Sequence, residues 1–455
     1  MGLDDEARMV RMRWWTEALH AMGDSHHHAR MLLSLEYPYS TINHTLLLYY
    51  PAWGSAHPPT DCEIHAMTDL EPDHPPLTRT TIARIETYVL RCPIDTPVRT
   101  SFGVMHERPA LFVKVVDRDG ATGWGEVWCN FPSCGAEHRA ALIETLFAPL
   151  LQGQHVTHPG AIFEQLTKDT AVLALQSGEP GPIAQAIAGI DLALWDLQAR
   201  RANLPLWQLL GATGDEIAVY ASGLNPTGVA TLVADRLGQG FEAFKLKVGF
   251  GRERDAANLA ALREIIGPQC RLMVDANQAW DIDTALAMTE VLERHDPDWL
   301  EEPLRCDRPI AEWQMLSARS SVPIAAGENM ADRAEFVEAI VSGAFGVIQP
   351  DAAKWGGISG TLAIAQAVQQ AGLTYCPHYL GAGVGLLASA HLLAAAGNSN
   401  GRGMLEVDAN PNPLRSLLCG PIEMPVNGRV RLGHAPGIGV TPDIEALARQ
   451  IAARP

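Results

Sequence analysis

The chain has 455 residues, 47% apolar and 19% charged, enough to bury a large core in roughly two to four domains, or fewer if one is a barrel. Acidic residues outnumber basic ones 52 to 34, for a formal charge of −18, which argues against nucleic acid or an anionic membrane as partner. No apolar run reaches the roughly 18 residues of a membrane span.

Half of the 16 histidines fall in the first 75 residues, including the run at 26–28, among scattered Pro, Trp and Tyr. No helix or strand rhythm emerges, so residues 1–80 read as a poorly structured extension ending in EPDHPPLT. Met67 offers an alternative start, which would make 1–66 an artefact of gene assignment. TLLLYY is too short for the apolar core of a signal peptide. The eight cysteines, Cys62, Cys92, Cys129, Cys134, Cys270, Cys306, Cys376 and Cys419, form no CxxC pair. They read as free thiols in a reducing compartment, so the expected location is cytoplasmic.

From Thr81 the pattern changes. TIARIETYVL and ALFVKVVDRDGATGWGEV predict strands, the second a hairpin turning at Asp119-Gly120. PIAQAIAGIDLALWDLQARRANL carries apolar residues at helical spacing and stops before Pro205. Residues 81–213 therefore predict an α+β domain. From about 217, eight β-rich runs alternate with helix-length segments: IAVYAS, AFKLKV, RLMVDA, DWLEEP, PIAAGE, GVIQPD, LTYCPH and GMLEVD. This alternation predicts a parallel β/α barrel over 214–415.

An ionisable residue ends each predicted strand from the second to the eighth. Lys247, Asp275, Glu301, Glu328, Asp351, His378 and Glu406 follow one another at intervals of 28, 26, 27, 23, 27 and 28 residues. One β/α unit is about that long, and strand ends converge on one mouth. A strand-end carboxylate can also cap the following helix, but the phase of the whole set predicts a shared site. Asp275, Glu301 and Glu328 come from consecutive strands. Three like charges in one mouth need a cation, and an all-oxygen set selects a hard one such as Mg²⁺, with Mn²⁺ a possible substitute. Lys245 and Lys247 alternate with Leu246 and share a face, so one is expected to serve as a base. Asp351 is placed to hold one nitrogen of His378. A cation between opposed bases suits removal of a proton next to a carboxylate. Glu406 is expected to hydrogen-bond the resulting oxyanion if its acidic neighbours keep it protonated. His391, in an Ala/Leu-rich helix, reads as a core or surface residue.

IAGIDLALWDLQ, KLKVGF, MVDANQAW, WLEEP, IAAGEN, IQPDAAKWGGISG and CPHYLGAGVGL, in that order, resemble the enolase superfamily, mandelate racemase subgroup, from about Thr81 onward. The resemblance implies a modified TIM barrel, (β/α)7β, with an N-terminal α+β capping domain completed by residues 416–455. It implies Mg²⁺ on Asp275, Glu301 and Glu328, Lys247 and the His378–Asp351 pair as acid/base groups, Lys245 and Glu406 on the substrate carboxylate, and supporting roles for Asn277 and Lys354. Cap loops 100–108 and 128–135 would close the mouth, with Phe102, His106, Arg108, Trp128 and Phe131 as substrate contacts. The implied substrate is a small-molecule carboxylate, and the family often forms homo-oligomers. Dehydration of an acid sugar to a 2-keto-3-deoxy acid is the leading expectation, and racemisation of a 2-hydroxy acid the alternative. Cycloisomerisation ranks lower, since that subgroup usually has lysine where His378 stands, and a non-catalytic barrel lower still.

Overall fold

The computed structural model describes Leu32–Leu33, Leu46–Leu47 and residues 77–99, 103–224, 227–398 and 400–453. It divides into two units, Met1–Pro58 and Pro59–Pro455. The described part of the first is an antiparallel pairing of β1 (Leu32–Leu33) with β2 (Leu46–Leu47), two strands that the sequence rhythm did not predict. The histidine run at 26–28, Cys62, Met67 and Phe102 lie outside the described residues.

The second unit opens with an antiparallel sheet. β3 (Thr80–Arg99), β4 (Val104–Asp117), β5 (Thr122–Val127) and β6 (His155–Val156) lie in the order β5-β4-β3-β6. The β4–β5 turn falls at the predicted Asp-Gly, with Gly120 at φ +85°. Helices α1 (Gly135–Leu142), α2 (Pro159–Ser177) and α3 (Pro180–Arg201) follow. Helix α3 lies flush against β5 because the contact is built from glycines. A Cβ on Gly125 would sit 2.1 Å from the Gly189 carbonyl oxygen, and one on Gly189 would strike Val127. The spacing of IAGIDLALWDLQ thus turns one face of α3 to the sheet.

Eight parallel strands then alternate with seven helices. They are β7 (Glu216–Leu224), β8 (Ala243–Lys247), β9 (Arg271–Asp275), β10 (Leu300–Glu301), β11 (Ile324–Ala326), β12 (Val347–Ile348), β13 (Thr374–Tyr375) and β14 (Leu405–Asp408). Between them run α4 (Val229–Gly238), α5 (Arg252–Ile266), α6 (Ile282–Leu292), α7 (Ile310–Ser317), α8 (Arg333–Val341), α9 (Gly357–Gln370) and α10 (Gly383–Ala396). The order β13-β12-β11-β10-β9-β8-β7-β14 curls the sheet into a TIM-barrel-like form; seven of the eight predicted runs contain one of these strands, and the first, IAVYAS, lies within β7. Side chains cross the seam between its ends: the Tyr379 N–H donates to Glu406 Oε2 at 3.2 Å.

Period-two alternation sends one residue per strand inward. Tyr220, Ala243, Met273, Trp299, Ala325, Val347, Cys376 and Met404 form a separate apolar cluster, the barrel floor. The ionisable strand-end side chains lie toward the C-terminal rim, above this floor. Beyond β14 the chain forms α11 (Pro413–Cys419), β15 (Arg429–Arg431), antiparallel to β7, and α12 (Ile444–Ala452). On the way it returns to the cap: the Ile438 N–H donates to Asp196 of α3 at 2.7 Å.

Candidate active site

A cavity of about 290 Å³ opens at the C-terminal rim, walled by Lys247, Asp275, Asn277, Glu328, Lys354, His378 and Glu406. Trp128, Asn130 and Phe131 from the cap and Leu380 from the barrel close it. Seven of the strand-end and neighbouring residues singled out by spacing and resemblance therefore line one cavity.

Lys245 and Lys247 do share a face of β8, at different depths. Lys245, 2% exposed, places Nζ 2.5 Å from Glu301 Oε1 and 2.8 Å from Glu406 Oε1. Burial alone would lower its pKa, but the two carboxylates hold it well above the ordinary lysine range. Crowding by a second ammonium does not free it, so Lys245 is a fixed cation and not a base. Lys247 reaches the cavity. It donates to Asn277 Oδ1 and lies 3.6 Å from Asp275 Oδ2.

The carboxylates combine the two roles considered for them. Asp275 Oδ1 accepts from the Asn277 N–H at 2.8 Å, and Asp351 Oδ1 from the Ala353 N–H at 2.8 Å. One oxygen of each ties down its own loop, and the other faces the site. Asp351 Oδ2 holds His378 Nδ1 at 2.8 Å. The other ring nitrogen, Nε2, is 2.7 Å from Glu328 Oε2. Burial disfavours the imidazolium, but Glu328 and Glu406 hold the His378 pKa well above its usual value. Burial would raise Glu328, yet His378 and Lys354 keep it well below the carboxylate range. Lys354 Nζ also sits 4.7 Å over the Trp128 ring, a cation–π contact.

Glu406 departs from expectation. Burial would raise it, but Lys245 and His378 outweigh burial and hold it low. It is a carboxylate accepting from Lys245 and the Tyr379 N–H, not a protonated donor. Two cap residues also fall elsewhere. His106 is exposed on β4. Arg108, 2% exposed, pairs with Asp408 and donates to the Pro411 carbonyl at 3.2 Å, so it braces the cavity wall from behind. Flanked by Glu107 and Pro109, Arg108 gave no sign of a partner 300 residues away.

Neighbours within the motifs were missed. Glu302, the second acid of WLEEP, is buried at φ +37° and accepts from Asn329 Nδ2 through both oxygens, at 2.9 and 3.0 Å. Burial, then Glu328, pushes it up to about 8. Gln349 donates to Glu301 Oε2 at 2.7 Å. It follows β12 directly, two residues before Asp351.

Among the described residues, no three His, Cys, Asp or Glu side chains already stand as a metal cage. Asp275, Glu301 and Glu328 face Lys247, Lys245 and His378 respectively. The donor set nevertheless fits a hard divalent ion. Asp275 and Glu301 are directly paired in the β9–β10 ladder, and Glu328 follows the adjacent β11. With Glu302 held neutral near pH 7, five carboxylates (Asp275, Glu301, Glu328, Asp351, Glu406) meet four cations (Lys245, Lys247, Lys354, protonated His378), which leaves one negative charge for a cation to offset. Burial pushes Glu301 up to about 7 against the pull of Lys245, and Asp275, Glu406 and Glu328 add to the rise.

A TIM-barrel-like fold with an ammonium and a carboxylate-held imidazole in one acidic cavity defines an acid/base enzyme. Residues 228–447 match the family described as enolase C-terminal domain-like, and residues 84–211 the mandelate racemase / muconate lactonizing enzyme N-terminal domain. A D-galactarolactone cycloisomerase from Agrobacterium fabrum is 32% identical, covering 80% of this chain and 97% of the relative. An arabinonate dehydratase from Saccharolobus solfataricus is 28% identical over 74% of this chain and 93% of its own. A solved mandelate racemase/muconate lactonizing enzyme from Bordetella bronchiseptica RB50 is 54% identical, with TM-score 0.78, covering 82% of this chain and 99% of that one. A racemase from Streptomyces coelicolor with bound magnesium is 28% identical, with TM-score 0.72, covering 81% and 99%. The chain belongs to the mandelate racemase/muconate lactonizing enzyme family of the enolase superfamily, and is an enzyme of the hydro-lyase or racemase kind.

Proposed function

We propose that the enzyme dehydrates a sugar acid: it removes the proton α to the carboxylate and expels the β-hydroxyl as water, and the resulting enol tautomerises to a 2-keto-3-deoxy acid. The observation that carries this is the placement of Lys247 (β8) and His378 (after β13) in one cavity, with His378 tied to Asp351 at 2.8 Å. Asp275, Glu301 and Glu328 would hold Mg²⁺, with Mn²⁺ able to substitute. Bound there, the ion stabilises negative charge developing on the substrate carboxylate. Lys247 takes the α-proton. His378, held as imidazolium, gives a proton to the departing hydroxyl, and Asp351 fixes its tautomer. Lys245 and Glu406 orient the carboxylate end. Asn277 positions Lys247, Lys354 sits beside the Asp351–His378 pair, and Trp128 and Phe131 cover the far end. In this reading residues 81–213 cap the barrel at 214–415, residues 416–455 brace the cap, and the enzyme works in the cytoplasm as a homo-oligomer.

Relatives named for cycloisomerisation and racemisation favour two variants on the same groups. A ring oxygen can replace hydroxyl as the leaving group, or His378 can reprotonate the face opposite Lys247. A panel of mono- and diacid sugars, their lactones and 2-hydroxy acids, run with Mg²⁺ in D₂O, separates them. Release of 2-keto acid from open-chain acids supports dehydration; release from lactones alone supports ring opening. Deuterium exchange with inversion and no keto acid supports racemisation. Absence of all three across the panel refutes the proposal.

A further inference from the structure

Two buried carboxylates of the cap take no part in the proton transfers above. Glu126, near the end of β5, accepts from the N–H groups of Ala382 (2.5 Å) and Gly385 (2.9 Å), the first turn of α10. Asp191 of α3 accepts from the N–H groups of Ile358 (2.7 Å) and Ser359 (3.0 Å) and from Ser359 Oγ (2.6 Å), the first turn of α9. Each helix is therefore capped by an acid from another part of the chain, where the unpaired N–H groups and the dipole favour one. Glycine makes the approach possible. A Cβ on Gly357, at φ +54°, would fall 2.3 Å from Asp191 Oδ2, and one on Gly381 would fall 2.8 Å from Glu126 Oε1.

These two helices follow Asp351 and His378. The intervening loops are held by the same stretch of cap: the Trp128 N–H donates to the Ala353 carbonyl (3.1 Å) and Asn130 Nδ2 to the Leu380 carbonyl (2.5 Å). The loop after Lys247 is anchored differently. The Val248 N–H donates to the Asp275 carbonyl, and Asp255 of α5 accepts from the Gly249 N–H at 2.9 Å, both within the barrel.

We propose that Glu126 and Asp191 are positioning residues through which the cap sets the Asp351–His378 pair, while Lys247 is set by barrel side chains. The assignment of His378 and Lys247 rests on the proposed function, but their placement is testable without substrate. In the full-length chain with Mg²⁺ present, carbethoxylation of His378 and acylation of Lys247 are followed by peptide mapping. Glu126→Gln and Asp191→Asn should each raise the His378 rate about tenfold and leave Lys247 within about twofold. Asp255→Asn should do the reverse. His391, buried with Nδ1 accepting from the Trp207 N–H at 3.0 Å, reports general loosening and should stay protected. If Glu126→Gln fails to fold, Asp191→Asn carries the same comparison. On a substrate that is turned over, the loss should fall on kcat with KM retained. His378 and Lys247 rising together, or neither rising, overturns the inference. The expected rates without turnover of any sugar acid would leave it standing and sink the proposed function instead.

Discussion

Lys245→Met tests the electrostatic layer beneath the site. Methionine keeps most of the buried volume and removes the charge, so Glu301 and Glu406 each lose a donor, at 2.5 and 2.8 Å. Removing one partner from a buried ion pair costs about 3–5 kcal/mol. Protonation of the stranded carboxylates limits that cost, and the limit depends on pH. Both groups would titrate higher without Lys245, and Glu301 already stands at about 7. The folded variant then binds protons that the unfolded chain, with carboxyls near 4.3, releases, so its stability falls as pH rises. The Tm deficit should therefore be small at pH 5.5 and reach roughly 3–6 °C at pH 8. Calorimetric melts of both proteins across that range measure it, with turnover followed in parallel. A variant whose Tm matches the parent at pH 8, or whose deficit shrinks with rising pH, would show that Lys245 does not compensate these carboxylates.

Lys247→Ala and His378→Asn should each lower turnover by about 10²–10⁴-fold and leave the fold intact by circular dichroism; near-full activity in either would remove its assigned role. Arg108→Met breaks the buried pair with Asp408 behind the cavity wall and should cost about 3–5 kcal/mol in denaturant melts, whereas His106→Ala, at an exposed position, should change stability by less than about 0.5 kcal/mol. Burial pushes Glu126 from 4.5 up to about 7, so the stability it contributes is full below about pH 4 and lost, by about 3 kcal/mol, as pH rises through 7. Glu126→Gln should accordingly look more destabilising at pH 5 than at pH 8, and parallel curves would contradict the shift.

Much of the candidate site's layout could be read locally. Asp275, Glu301 and Glu328 recur at the length of one β/α unit, and strands laid side by side in chain order must bring their ends to one rim. The Lys245–Leu246–Lys247 alternation assigns both lysines to one face because a strand repeats every two residues. Position along a strand is a local property, so composition and period reveal it. Depth and partnership are not local. Whether Lys245 was a base or a fixed cation depended on Glu301 and Glu406 reaching it across the barrel. Whether Glu406 was protonated depended on Lys245 and His378 outweighing its own burial. Arg108, expected in a cap loop, lies on β4 against Asp408, and the apolar spacing of IAGIDLALWDLQ marked a helix without showing that Asp191 caps α9. Charge, periodicity and spacing determined which groups meet at the rim. Only the closed tertiary structure decided which of them are neutralised, since the field at a buried group is the sum over neighbours from every strand, and sequence distance carries no record of it.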